Sequence, residues 1–453
     1  MMINRFLPIT IAIILSVSAV RAQEEAEKIT APLTFREAIK IALDNNVAIK
    51  QQQNNLRSAT TSRTAGLLQL GPSVEIQGNL GRNDGNSFNQ QEGRVVNGVV
   101  DFTNVGLRTS MPLFQGLSRV NDLRAAKSGM DAQIEMVERT RQDVMQLVTS
   151  QYLQCLLDRE LVKIAEGNLE TQQQQLELVN AQVESGSRAE ADVSSQQFQL
   201  KSAELALLRA KNALRNDKTI LAQTLQMDPQ LNFTLAEPDW EINKFENYDT
   251  VESLYGIALA NRSDLESIKY SAAASKYNYR SAKGGYFPSV FAFFNYGSAY
   301  NYIHGSENRS FDQQFTSDNI QKTYGLSFTI PIFNGFATRA SVVQSRVNYE
   351  NRELEAANMI NTVKSEVIRA RQNLNDAVVA YSTAEVQLES ATMANDLGSQ
   401  RYELGISNLA EYTLTTQNYT QAQVDYASAR YTLMFQELLL NYALGTLTYE
   451  DID

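Results

Sequence analysis

The chain has 453 residues, 43% hydrophobic and 20% charged, which is enough apolar material for two or three ordinary domains. With one Cys (Cys155), one His (His304) and one Trp (Trp240) it cannot form an internal disulfide. It also offers almost no ligands for a Cys/His zinc site, and a Ser-His-Asp triad would have to use His304 in a Gly/Ser/Asn stretch. The 40 Lys+Arg against 51 Asp+Glu leave a formal charge of -11, the wrong sign for a nucleic-acid surface. No phosphate-binding loop or redox motif is present, so the expectation is a non-enzyme without cofactor or metal.

In chain order, residues 1–22 read as an export signal: Arg5 is followed by the mostly apolar run Phe6 to Val20, and Val20-Arg21-Ala22 suits cleavage. The run is shorter than the ~20 residues of a bilayer helix. With no Cys nearby, N-terminal lipidation is not expected. The remainder is one unit written twice. Met111-Pro112-Leu113-Phe114-Gln115-Gly116 returns 219 residues later as Ile330-Pro331-Ile332-Phe333-Asn334-Gly335, and Glu184-Ser185-Gly186 returns as Glu403-Leu404-Gly405. The expected domains are a first repeat over 23–226, an irregular connector over 227–250 with Pro229, Pro238 and Trp240, and a second repeat over 251–453.

Each repeat opens with helical sequence and then changes period. Alternating apolar and polar residues predict strands at about 73–81, 104–114, 288–302 and 322–333, joined by long polar loops over 82–102 and 301–321. Tyr324, Leu326, Phe328, Ile330 and Ile332 supply a face suited to lipid. A soluble sandwich would alternate in the same way. In a membrane, however, four strands leave open edges, so a barrel would have to be shared between chains, eight strands from two or 12 from three.

Two proline-free stretches follow, Leu113 to Asp228 and Ile332 to Asp453, rich in Ala, Gln, Leu, Glu, Lys and Arg. A helix from about Leu117 to Glu184 would be roughly 100 Å long. Gly186 and Gly405 sit where such a helix would turn back, giving two long antiparallel hairpins. The alternative is a glycine tolerated inside one continuous helix.

Together, the repeat, the strand-ending Pro-Leu-Phe-Gln-Gly and Pro-Ile-Phe-Asn-Gly, the Gly186 and Gly405 tips and the closing Tyr442-Ala443-Leu444-Gly445-Thr446-Leu447 resemble the outer-membrane efflux proteins of the TolC type. The resemblance covers essentially the whole mature chain. It implies a mainly α fold with membrane β: a homotrimer whose shared 12-stranded barrel crosses the outer membrane of a Gram-negative bacterium and continues as an α-helical tunnel in the periplasm. There the tips would meet a periplasmic adaptor attached to an inner-membrane transporter of RND, ABC or MFS type. The function implied is a passive exit duct for efflux or type I secretion; a periplasmic coiled-coil adaptor or structural protein is the alternative.

Residue by residue, the resemblance puts Glu411 at an acidic position of the constricted entrance, and Tyr402 and Asp192 at positions of a latch between hairpins. Leu414 stands where a second acidic residue is usual, and the basic partner expected near Ser407 is missing. Adaptor contact is expected from Gly186, Ser187 and Arg188 at one tip and Gly405, Ile406, Ser407 and Asn408 at the other.

Overall fold

A computed structural model describes residues 32–89, 93–229, 233–237 and 250–449. The export signal over 1–22, and Pro238 and Trp240 of the connector, lie outside the described residues.

Helix α1 (Phe35–Asn45) starts at a reciprocal cap: the Thr34 hydroxyl accepts from the Glu37 N–H at 3.3 Å, and the Glu37 carboxylate accepts from the Thr34 N–H at 3.0 Å. Asn46 ends it and caps α2 (Val47–Leu68) by accepting from the Ala48 N–H. Strands β1 (Ser73–Asn89) and β2 (Arg94–Gln115) form a long hairpin. Helices α3 (Ser118–Glu184) and α4 (Glu190–Thr224) follow. The second half repeats the order with α5 (Val251–Asn261), α6 (Ser263–Lys283), β3 (Ser289–Ile303), a short α7 (Phe311–Gln313), β4 (Gln321–Thr329), α8 (Ala337–Glu403) and α9 (Leu409–Leu444). The strands make one antiparallel sheet in the order β1-β2-β3-β4, with no partner on the outer edges of β1 and β4.

Three strand bounds differ from expectation. The region expected as a polar loop, 82–102, is mostly strand: the register continues to Asn89↔Arg94, and Arg82 bonds Asp101 across the hairpin at 2.6 and 2.9 Å. Its polar residues do not alternate with apolar ones, so the period-two signal is absent while backbone pairing persists. β4 stops at Thr329, leaving Ile330 and Ile332 beyond the strand, because Pro331 has no N–H to donate to a ladder.

Beyond Gly297, where pairing with β4 ends, side-chain amides occupy the free edge of β3. Gln314 accepts from the Asn301 N–H and donates to its carbonyl, Asn308 does the same at Ile303, and Asn319 donates to the Ala299 carbonyl. These bonds protect an edge that would otherwise be open to another strand.

At 67 residues each, α3 and α8 are roughly 100 Å long. Both start at non-glycine residues with left-handed backbone, Leu117 (φ 64°) and Phe336 (φ 64°), each after a left-handed glycine, so the corner from sheet to helix is built identically in both halves. Gly116 permits the approach: a Cβ there would lie 2.5 Å from the Gly284 carbonyl oxygen.

Helix α3 packs against α2, α4, α6 and α9, and α8 packs against α6 and α9. Burial is concentrated at mid-height. One cluster joins α1, α3 and α4 through Ile39, Tyr152, Leu156 and Leu221, and a second joins α5, α8 and α9 through Ala258, Val367 and Leu440. Arg262, fully buried between α5 and α6, is held by Asp264 and Glu366. Charge compensation and hydrogen bonding make that burial tolerable.

Candidate functional site: the hairpin tips and the two faces of the sheet

Both tips are the same turn. Gly186 (φ 76°) sends its N–H to Val183, and Ser187 sends its own to Gln182; Gly405 (φ 72°) bonds Tyr402 and Ile406 bonds Arg401. These paired bonds satisfy the last carbonyls of α3 and α8, and a left-handed residue without Cβ makes them possible.

The tip residues divide into outward and inward sets. Gly186, Ser187, Gly405, Ile406 and Asn408 are exposed, as is Leu404, an apolar tip residue absent from the expected contact set. Ser407 is buried with its hydroxyl unpaired. Asn408 also caps α9, its side chain accepting from the Glu411 N–H at 2.8 Å.

The side chain of Arg188 turns back from the tip and is only 17% exposed. Its guanidinium lies 4.5 Å from the Tyr402 ring centroid and 3.9 Å from the Asp192 carboxylate, so Tyr402 and Asp192 meet around it. Tyr402, 1% exposed, stacks on Tyr412 at 5.0 Å, and Val179 and Leu409 complete the small core at this level. Its hydroxyl has no hydrogen bond of good geometry, and the equally unpaired amide nitrogen of Gln175 sits beside it. Burial raises the hydroxyl above its ordinary pKa, so it stays neutral.

The basic residue missing near Ser407 is thus supplied by the other hairpin. Arg188 and Ser407 are 219 residues apart, the offset of the repeat, and Asp192 and Glu411 are equivalent in the same way. That offset was the available signal. Glu411 lies apart from the Tyr402 cluster, 3.6 Å from Arg401, with both side chains about half exposed (48% and 53%). An ion pair this open to water contributes about 0–1 kcal/mol.

At the other end, the sheet has one apolar and one polar face. Val290 and Phe328, Ala292 and Leu326, and Phe294 and Tyr324 are direct cross-strand partners and therefore share a face. Tyr324, Leu326 and Phe328 are all highly exposed, as are Ile330 and Ile332 after the strand. No described helix is long and apolar enough to cross a membrane. On α8, Val347 and Leu354 are exposed at seven-residue spacing, and so are Val379, Val386 and Met393, with no described helix covering them. Such spacing is that of a seam between helices.

An apolar-faced sheet with open edges, mounted on helical hairpins of this length, is the architecture of an outer-membrane channel protein. The chain belongs to the outer membrane efflux protein family, whose sequence profile matches residues 38–225 and 254–446. It is 24% identical to the outer membrane protein TolC of Salmonella enteritidis over 463 aligned positions, covering 100% of this chain and 88% of that protein. Its fold is similar to the Campylobacter jejuni CmeC outer membrane channel, with TM-score 0.80 and 18% identity over 92% of this chain and 88% of that one. It is equally similar to the outer membrane protein VceC of Vibrio cholerae, with TM-score 0.79 and 16% identity over 91% and 96%. Members of this family are non-enzymatic channels of the Gram-negative outer membrane, so the chain is an outer-membrane efflux duct. The coiled-coil adaptor alternative is set aside by that membership.

Proposed function

We propose that three copies close into one channel, a 12-stranded barrel continuing as a helical tunnel, and that this duct conducts substrates delivered by a periplasmic adaptor and an inner-membrane transporter of RND, ABC or MFS type. The single observation that carries the proposal is the sheet with free β1 and β4 edges and an exposed apolar face. Unpaired strand edges cannot face lipid, so they have to be closed by other chains. Four strands from each of three chains give a lumen wide enough for water, whereas eight strands are filled by their own side chains. The uncovered heptad stripe on α8 fits a helix of a neighbouring copy.

The division of the chain into an export signal over 1–22, two repeats over 23–226 and 251–453 and a connector between them belongs to this reading. Export would deliver a mature, unlipidated chain to the outer membrane. Tyr402, Asp192 and Arg188 would hold the closed tips together, and Glu411 would line the entrance. Gly186, Ser187, Gly405, Ile406 and Asn408 would meet the adaptor. Arg188 and Ser407, expected at the same surface, are turned inward and would act by shaping the tips.

The test is the protein mass of the detergent-extracted form, by light scattering with detergent subtracted. A mass three times that of the mature chain is the expected result, whereas a monomer stable without detergent would overturn the proposal.

A further inference from the structure

The second face of the sheet is polar but nearly uncharged. The register aligns one row across all four strands: Glu75 opposite Arg108, Arg108 opposite Asn295, and Asn295 opposite Thr323. Direct partners share a face, with Cβ atoms about 5 Å apart. Along this face, the alternate residues of the four strands are Ser, Thr, Asn, Gln, Gly and a few apolar side chains. Glu75 and Arg108 are its only charges apart from Arg94 at the far end of the β1–β2 hairpin.

Neither charge is tied up elsewhere. The Arg108 guanidinium makes no hydrogen bond or ion pair among the described residues, and Glu75 accepts one bond, from the Gln77 amide at 2.8 Å. This is also the hollow side of the sheet. A concavity of about 410 Å³ lies over it, lined by Gln77, Asn104, Arg108, Asn295 and Thr323. At Gly297, β3 lies close against β2, since a Cβ there would meet the Val105 carbonyl oxygen at 3.1 Å. A sheet that closes into a barrel puts its concave, polar face toward water.

We propose that Glu75 and Arg108 form a charge-compensated ring of the barrel, three of each sign at one level, that keeps the wall at that level electrically neutral. The proposal rests on the duct reading. At a level with no other wall charge among the described residues, whichever sign is left uncompensated sets the local potential, and permeant ions of opposite sign accumulate there. The ring therefore lets solutes of either charge through, and each half of it conceals the selectivity of the other. For three unit charges acting across a water-filled lumen in about 0.1 M salt, unmasking one sign changes relative ion permeability about twofold.

The experiment reconstitutes the full protein in planar bilayers and measures reversal potentials in a KCl gradient. Glu75→Gln is expected to lower the potassium-to-chloride permeability ratio about twofold, Arg108→Gln to raise it about twofold, and the double variant to return it to the parental value. Conducting channels in which both single variants leave the ratio unchanged, or shift it in the same direction, would overturn the ring while leaving the duct intact. A parental protein that forms no pore would overturn both.

Arg108→Cys guards against a folding artefact, because assembled channels can be modified in place. Cys155 will not interfere: it is buried and its thiol is pushed up to about 12, chiefly by that burial. A cationic thiol reagent should restore the parental ratio and an anionic one should push it further toward potassium. Insensitivity to both would place residue 108 outside the conducting path and overturn the proposal.

Discussion

Asp158 is 3% exposed on α3, faces Asp217 of α4, and has one carboxylate oxygen with no donor. Burial, then the facing Asp217 carboxyl, push it up to about 6 from an ordinary 3.8, while the Gln154 amide at 3.0 Å opposes the shift. A carboxyl with a raised folded pKa favours the folded state when protonated. That contribution is complete below about pH 4, is lost as pH rises through about 6, and amounts to at most about 3 kcal/mol. Asp158→Asn should therefore raise the apparent melting temperature at pH 8 and leave it unchanged at pH 4; a lower value at pH 8 would show that the charged form is needed. The sequence offered no sign of this pair, because 59 residues separate its members and only the folding of α4 onto α3 brings them together. Tyr402 and Asp192 were legible from family resemblance. Arg188 was legible only as a tip residue, since nothing in its spacing says that its side chain turns back over an aromatic ring.

At the scale of the element, Gly186 and Gly405 were legible as turns because a helix that ends in a tight reversal commonly closes on a left-handed residue, and glycine takes that conformation without steric cost. A Cβ at either position would meet nothing within 4 Å, so backbone conformation is the constraint and space is not. Asn tolerates the left-handed region and Val does not. Gly405→Asn should therefore keep the turn and the assembled mass while impairing export, if the tip must approach another backbone closely. Normal export by Gly405→Asn would reduce Gly405 to a turn residue, and loss of assembly would make the turn itself the constraint. Gly405→Val should destabilise the tip by about 1–2 kcal/mol, read as earlier proteolysis near residue 405. The strands were legible only where apolar and polar residues alternate. In the outer half of the β1–β2 hairpin Val100 is buried but most residues are polar without alternation, so they read as loop although the backbone pairs to Asn89↔Arg94.

For the whole molecule in its proposed trimeric form, each charge counts three times over. Three Glu411 carboxylates around the entrance would favour cations, and Arg401, 3.6 Å away in each chain, offsets part of that field. Glu411→Ala would remove the acid and leave the arginine, so the reversal potential of the reconstituted channel should move toward chloride; an unchanged potential would reject an acidic entrance ring. The sequence by itself determined the repeat, the long helices and their turning points, and it set the expectation of a shared barrel. Each of these follows from local periodicity, from backbone chemistry at Gly and Pro, or from the cost of an open strand edge in lipid. Only the tertiary structure decided which polar groups come together: Arg188 with Tyr402, Arg401 with Glu411 and Asp158 with Asp217, with Glu75 and Arg108 level on neighbouring strands. Coulombic and hydrogen-bond energies fall off within a few ångströms, and distances that short between residues remote in the chain exist only once helices and strands have packed.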